Sequence, residues 1–242
     1  MRRLHGFRIV VVVATTTFGL VGCSLTRTRD KNTVKTVEEL AASLLTDEDL
    51  EGEWKLNPGP DGVSLPASGV ITDAVRGMLP RVEVCEKTNQ TARDALDKLQ
   101  WQAFRQLDKT VDNPIKPPAD RAGHMEFVQQ WAVSGEPDEL ESMFDDIAPG
   151  FLDCLGEVPA GEEGPATIGE VDIDPVGDQR VAVLAQIEEA EGGGMWNVYS
   201  TLVRSHSVLM SVTMVDITLG DLDAELGVSD LDAVLSAALS KF

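Results

Sequence analysis

The chain has 242 residues, 43% of them hydrophobic and only 5% aromatic, and its 41 acids against 20 lysines and arginines give a formal net charge of −21. Such a surface repels nucleic-acid phosphates and anionic headgroups, which excludes nucleic-acid binding and favours cations or basic partners. The length suits one domain of about 150 to 200 residues plus a tether, or a core domain with an amino-terminal helical annex. In chain order, the first segment reads as an export signal. Arg2, Arg3 and Arg8 precede an apolar run from Ile9 to Val13 that continues more weakly to Gly22, with no acid in between. The run is shorter than the roughly 20 apolar residues of a permanent membrane-crossing helix, so residues 1–22 are expected to be removed.

The next four residues bear on how. Leu20-Val21-Gly22-Cys23 resembles the lipobox of bacterial lipoproteins: an apolar residue, small residues before the cut, then a cysteine. The resemblance implies cleavage before Cys23 and a diacylglycerol on its thiol. Two acyl chains, at about 0.8 kcal/mol for each buried methylene, hold stably where one does not. The membrane is then a partner through the lipid anchor alone, on its extracytoplasmic face. Removing residues 1–22 takes away three arginines and no acid, leaving 220 residues and shifting the formal net charge from −21 to −24. Cys85 and Cys154 remain besides the anchor, and an even pair outside the reducing cytoplasm most simply forms one disulfide. Closing that loop stabilises the fold by about 4 kcal/mol on the chain-entropy account.

Residues 23–35 form a polar, lipidated tether, and 36–242 a single exported domain with a mainly helical part at 36–110 and a strand-helix-meander-helix part at 124–242. Thr36 and Glu39 make a capping box, and Val37, Leu40, Ala41, Leu44 and Leu45 follow at helical spacing. An acidic turn, Asp47 to Asp49, leads to Trp54. Asn57 to Gly69, with three prolines and three glycines, reads as a loop, and Thr72 starts a short helix ended by Pro80. Ala92, Leu96, Leu99, Ala103 and Leu107 predict a helix over 91–107, with Trp101 and Phe104 widening its stripe. Pro114, Pro117 and Pro118 impose an extended loop. From Met125 to Val133 the period changes to two, which predicts a strand. Pro137 then opens a helix carrying Leu140, Phe144, Ile147, Phe151 and Leu155 on one face, bent or broken at Pro149, with Cys154 beside that face.

The carboxyl half is strand-like over 168–173, 180–188, 195–204 and 208–219. Turns at Gly192-Gly193-Gly194 and Ser205-His206 are short enough to make the last three strands an antiparallel meander. Ser229, with Asp232 three residues on, caps a terminal helix bearing Leu231, Val234, Leu235, Ala238 and Leu239. The expected fold class is α+β: an antiparallel sheet with a carboxyl-terminal meander, helices packed on one face, and one disulfide.

A strand, a helix ending at Cys154-Leu155-Gly156, a meander with Trp196 and the Arg204 hairpin, and a terminal helix follow one another. This order is similar to the extracellular sensor domain of actinobacterial receptor serine/threonine kinases, a domain shared with stand-alone lipoproteins. The resemblance covers about residues 60–242. It implies a sensing or solute-binding module with a cleft rather than an enzyme. No binding residue of the family maps onto this chain.

The chemistry-bearing residues point the same way. His124 and His206 stand far apart, and no CxxC, HExxH, GxSxG or SxxK motif occurs. Asp145/Asp146 and Asp172/Asp174 are pairs that an acidic chain offers by chance. The acids at 47–53 and at Asp221, Asp223 and Glu225 lack the EF-hand spacing, so no metal and no cofactor is expected. Trp54, Trp101, Trp131, Trp196 and Tyr199 sit within apolar periodicity and are expected in the core. The expected site residues are Cys23 for lipid and Cys85 and Cys154 for the disulfide. The function expected is a non-catalytic, lipid-anchored binding or sensor-like domain, its partner a small molecule. The alternative is an accessory lipoprotein docking on an envelope protein complex without a small ligand.

Overall fold

Nine strands of one antiparallel sheet organise the part of the chain that the computed structural model describes, residues 33–57, 62–64, 94, 102–109, 123–153, 155–161, 164–188, 194–219 and 226–242. They are β1 (Trp54–Leu56), β2 (Gly62–Ser64), β3 (Gln102–Lys109), β4 (Gly123–Ser134), β5 (Gly156–Gly161), β6 (Gly164–Glu170), β7 (Gln179–Glu188), β8 (Met195–Ser205) and β9 (Val208–Leu219). The spatial order is β1-β3-β4-β9-β8-β7-β6-β5, and β2 also pairs with β3. The meander therefore runs from β5 to β9, and β4 returns beside β9 over twelve residue pairs, from Gly123↔Leu219 to Ser134↔Val208.

The helices among the described residues are α1 (Val37–Ala42), α2 (Pro137–Ile147), α3 (Pro149–Leu152) and α4 (Val228–Ser240). The expected capping box holds α1: Glu39 N–H donates to Thr36 Oγ1 at 3.2 Å, and Thr36 N–H to Glu39 Oε2 at 3.0 Å. Pro137 opens α2, and Pro149, which has no N–H to continue the ladder, separates α2 from α3. The cap of α4 is Gly227 rather than Ser229. Its N–H donates to Asp230 at 2.8 Å, so the helix starts at Val228.

The helices do not pack on one face of the sheet, as expected for the fold class; they cover both. On one face α2 and α3 bury Leu140, Phe144, Ile147 and Phe151 against Trp131, Val133, Val181, Val183, Leu202 and Leu209. On the other, α1 with its following turn and α4 bury Leu40, Leu44, Leu45, Leu231, Val234, Leu235 and Ala238 against Val128, Ala132, Val203, Met210, Val212 and Met214. A strand buried on both faces reads as a continuous apolar run, which is how Val208, Leu209 and Met210 read.

The helix expected over 91–107 is corrected in its last part, because 102–109 is strand β3. Ala103 and Leu107 are four apart, an even number, so they share a strand face as readily as a helix face, and Phe104 falls in the opposite core. Pairing with β4, Ala103↔Ala132 through Lys109↔Glu126, decides between the two. Part of the expected 57–69 loop is likewise strand β2, and β5 comes as an addition to the expected elements. Cys23, Cys85 and Cys154 lie outside the described residues, as do the helix expected from Thr72, the 112–121 loop, Trp101 and the acids at 221–225.

The turn after α1 meets the end of α4. Asp49, in a 3₁₀ turn, accepts from Thr46 N–H and Thr46 Oγ1, each at 2.7 Å, and pairs with Lys241 just beyond α4. Burial raises the Asp49 pKa, but the bonds from Lys241 and Thr46 outweigh it and hold the carboxyl below its ordinary 3.8. A depressed native pKa stabilises the fold above the ordinary value, and that contribution is lost as pH falls through the native one. Asp49→Asn is expected to cost about 1 kcal/mol at neutral pH. The gap between the two urea midpoints should close as the pH is taken below the ordinary carboxylate range, and a gap unchanged there would show that the charge contributes nothing.

Candidate functional site

Two groups of polar side chains stand out, one inside the sheet and one at its corner. The first is a row of cross-strand neighbours on the α1/α4 face: Lys109 on β3, Glu126 on β4, Asp216 on β9, Asn197 on β8 and Gln186 on β7. Glu126 and Asp216 are fully buried, and Asn197 nearly so. Lys109 Nζ lies 2.6 Å from Glu126 Oε2 and 5.7 Å from the centre of the Trp54 ring. Leu226 N–H donates to Asp216 Oδ2 at 3.0 Å, and Gln186 Nε2 to Asn197 Oδ1 at 3.0 Å. Close by, the Tyr199 hydroxyl lies 3.4 Å from the Leu226 carbonyl, and burial, with Asp216 and Asp230 nearby, pushes its pKa up.

Paired carboxylates suggest acid/base chemistry, which requires that a substrate reach them. These two have no solvent-accessible surface, and their neighbours already bond to them. The row is therefore structural. It places charge beside the apolar Leu107, Val128, Met214 and Tyr199 of that face, so a one-residue slip of β4 against β9 would carry Glu126 out of register with Lys109 and Asp216.

The second group lines a recess of about 700 Å³ at the start of β7. One wall is the chain leaving β6, Glu170 to Ile173, and the other is Asp178 to Ala182, with Phe144 of α2 beside them. The recess exists because the β6–β7 ladder stops early. Its last paired residues are Glu170↔Val183, followed by one bond from Val171 N–H to the Ala182 carbonyl at 3.0 Å. Beyond that point the two segments part: Ile173 turns into the α1/α4-side core, while β7 continues against β8 alone.

The recess corner is fixed by a connected set of bonds. Gly177, with φ +67°, brings the chain beneath the Arg204 carbonyl, which accepts from Asp178 N–H at 2.7 Å. Asp178 Oδ2 accepts from the backbone N–H of His206 at 2.7 Å and lies 3.5 Å from the Arg204 guanidinium. Arg204 Nε donates to Gln179 Oε1, and Gln179 Nε2 reaches Asp145 on α2 at 3.4 Å. His206 holds a positive φ of 53° in the turn between β8 and β9. These bonds hold one wall rigid, while Glu170, Asp172 and Arg180 remain exposed at the rim.

The structure separates most of the residues that sequence reasoning set side by side. His124 is at the start of β4, opposite Thr218 near the end of β9, and His206 is at the other end of that strand pair. Asp172 lines the recess, whereas the backbone N–H of Asp174 bonds to Asp232 of α4 at 3.0 Å. Asp145 and Asp146 lie on the exposed side of α2. Trp54, Trp131 and Tyr199 are core residues, as expected, and Trp196 is half-buried. Among the described residues no three of His, Cys, Asp or Glu gather as a metal site. No helix among them is long and apolar enough to cross a membrane.

Solved structures similar to this chain include two mycobacterial proteins. The extracellular domain of PknH from Mycobacterium tuberculosis aligns with 87% of it and 97% of its own length, at 13% identity and a TM-score of 0.47. An uncharacterised protein of Mycobacterium smegmatis, the Rv0999 ortholog, aligns with 87% of it and 98% of its own length, at 13% identity and a TM-score of 0.40. No protein-family model matches the sequence, and neither does any curated protein.

Proposed function

We propose that this chain is a lipid-anchored, extracytoplasmic, sensor-like binding module with no reaction of its own, and that the recess at the start of β7 is its ligand site. The observation that carries the reading is the recess itself. Its volume falls within the few hundred to a thousand Å³ of ordinary ligand sites, and Phe144, Val171 and Ile173 supply apolar surface beside the charges of Glu170, Asp172 and Arg180. The address rests on the basic, then apolar, amino end and on the four residues ending at Cys23. The Cys85–Cys154 disulfide belongs to the same proposal, since an exported pair meets an oxidising compartment.

One feature favours a second reading, an accessory protein that docks without a small ligand. The outer side of α2 exposes Asp138, Glu139, Glu141, Asp145 and Asp146, and the helix contains no basic residue. Such a strip suits a basic protein surface.

A mass spectrum of the lipoprotein purified from its own envelope, native and then denatured, tests these points together. The denatured chain should begin at Cys23, carry diacylglycerol and lack the two hydrogens of a Cys85–Cys154 bridge. An unmodified chain with two free thiols would overturn anchor and bridge. The native spectrum should show an additional mass that denaturation releases, and that Arg180→Ala with Asp172→Ala removes. A native mass equal to the denatured one would displace the binding module in favour of docking.

A further inference from the structure

Resting on that reading of the recess as a ligand site, we infer that its ligand is an extended, basic peptide segment of a partner protein, bound as an added strand on the open edge of β7. Val171 N–H bonds to the Ala182 carbonyl, so the polar groups of Ala182 face the β6 side. Backbone groups two residues apart in a strand point the same way, so the N–H and carbonyl of Arg180 face that side as well.

Past Glu170↔Val183 the neighbouring chain no longer pairs there. The Ala182 N–H and both polar groups of Arg180 therefore open into the recess, over about 7 Å of strand. An unpaired row of this kind is a template for another strand. Elsewhere natural sheets protect such edges, and this one does so at β5, where Pro159 and a break in register interrupt the outermost strand. The stretch of β7 from Gln179 to Ala182 has no comparable guard. It is held straight by its pairing with β8, Gln179↔Arg204 through Ala182↔Thr201, and by the bonded corner at Asp178.

Charge selects the occupant. Glu170 and Asp172 stand exposed on the wall facing this edge and take no hydrogen bond or ion pair among the described residues, while Asp178 is engaged with Arg204. The rim thus offers two unengaged carboxylates against the one guanidinium of Arg180, on a chain of net charge −21 before processing. A strand presents side chains alternately to opposite faces. A segment alternating basic and apolar residues would set its cations on the α2 face, by Glu170 and Asp172, and its apolar side chains on the opposite face, by Val171 and Ile173. Main-chain bonds supply affinity in this mode, and the alternate side chains supply selectivity.

The probe is a blocked peptide of alternating lysine and valine, three of each, labelled for fluorescence anisotropy and titrated with the mature lipoprotein in nanodiscs. Saturable binding is expected, with slowed hydrogen exchange at the Arg180 and Ala182 amides. In an added strand only alternate residues bond to the edge. N-methylating one alternate set should therefore weaken binding at least about tenfold, and N-methylating the other should not. Glu170→Lys with Asp172→Lys, both at exposed positions, should weaken it about tenfold as well, and a glutamate/valine peptide should not bind. No saturable binding, equal affinity of the two methylated peptides, or protection away from β7 would each overturn the strand addition. If the purified protein nevertheless carries a small molecule that the recess variants lose, the binding-module reading survives without it.

Discussion

Replacing Lys109 with methionine is expected to lower the unfolding free energy by about 3–5 kcal/mol. Methionine keeps the apolar stem near the Trp54 ring and removes only the ammonium 2.6 Å from Glu126. The carboxylate of Glu126 is fully buried and stands directly across the strand from that of Asp216, also fully buried. Without the cation the sheet must hold two adjacent acids away from water, and such charge is costly in a low-dielectric interior. Glu126→Gln should cost less, because Lys109 is partly exposed and can turn its charge to solvent. Combining the two substitutions should recover most of the Lys109→Met loss. Urea denaturation of the four proteins gives the coupling directly. A Lys109→Met loss below about 1 kcal/mol would mean that the pair contributes no more than a surface ion pair does.

Gly177→Ala should be nearly as damaging, at about 3 kcal/mol. A β-carbon there would stand 2.5 Å from the Arg204 carbonyl oxygen and 2.7 Å from Val203 Cγ1, and φ +67° is a conformation that a side chain strains. The backbone oxygen cannot rotate away as the end of a flexible side chain can. Relief requires the chain to lift off the β8–β9 hairpin, which breaks the Asp178 bonds to Arg204 and His206. Faster amide exchange at Asp178 and His206 should accompany the stability loss. Gly169→Ala on β6, where nothing lies within 4 Å of the added carbon, serves as the comparison and should change stability by less than about 0.5 kcal/mol. Equal losses at the two glycines would show that the close approach at Gly177 is relieved without cost.

The elements legible in the sequence were those with a strong local period. The β4 alternation, the Pro137 helix with its break at Pro149, the last three strands and the apolar face of α4 all follow from such patterns. Local period failed where two periods coincide: Ala103 and Leu107 fit a helix and a strand equally, and only the partner strand resolves them. It failed again on layering, because helices cover both faces of the sheet and the inward-facing Glu126 and Gln130 lie among apolar residues of the α1/α4 face. Those same residues were a usable signal, since a polar residue between two buried apolar positions of a strand calls for partners on neighbouring strands. Which partners was not readable, as Lys109, Glu126, Asp216, Asn197 and Gln186 come from five strands. The recess was less legible still. It arises where pairing stops, at Glu170↔Val183, and no residue type marks that point.

The path of the chain into the domain sets a distance. The Thr33 carbonyl accepts from the Ser207 hydroxyl at 2.9 Å, and Lys35 N–H bonds to Ser134 Oγ at 2.8 Å. Residues 33–35 are therefore moored at the β8–β9 turn, where Ser207 follows His206 and the Asp178 corner of the recess. Thr33 is ten positions beyond Cys23, and a fully stretched chain of that length spans at most about 35 Å. On the proposed lipidation of Cys23, the domain is leashed at Thr33, beside the open end of β7, within that radius of the lipid surface. A protein anchored in the same membrane meets it by diffusing in two dimensions, and linkage of this kind raises the effective concentration of a partner without adding a contact. Lengthening the leash, rather than altering the binding surface, would then weaken capture of a membrane-bound partner while leaving affinity for the same segment in solution unchanged.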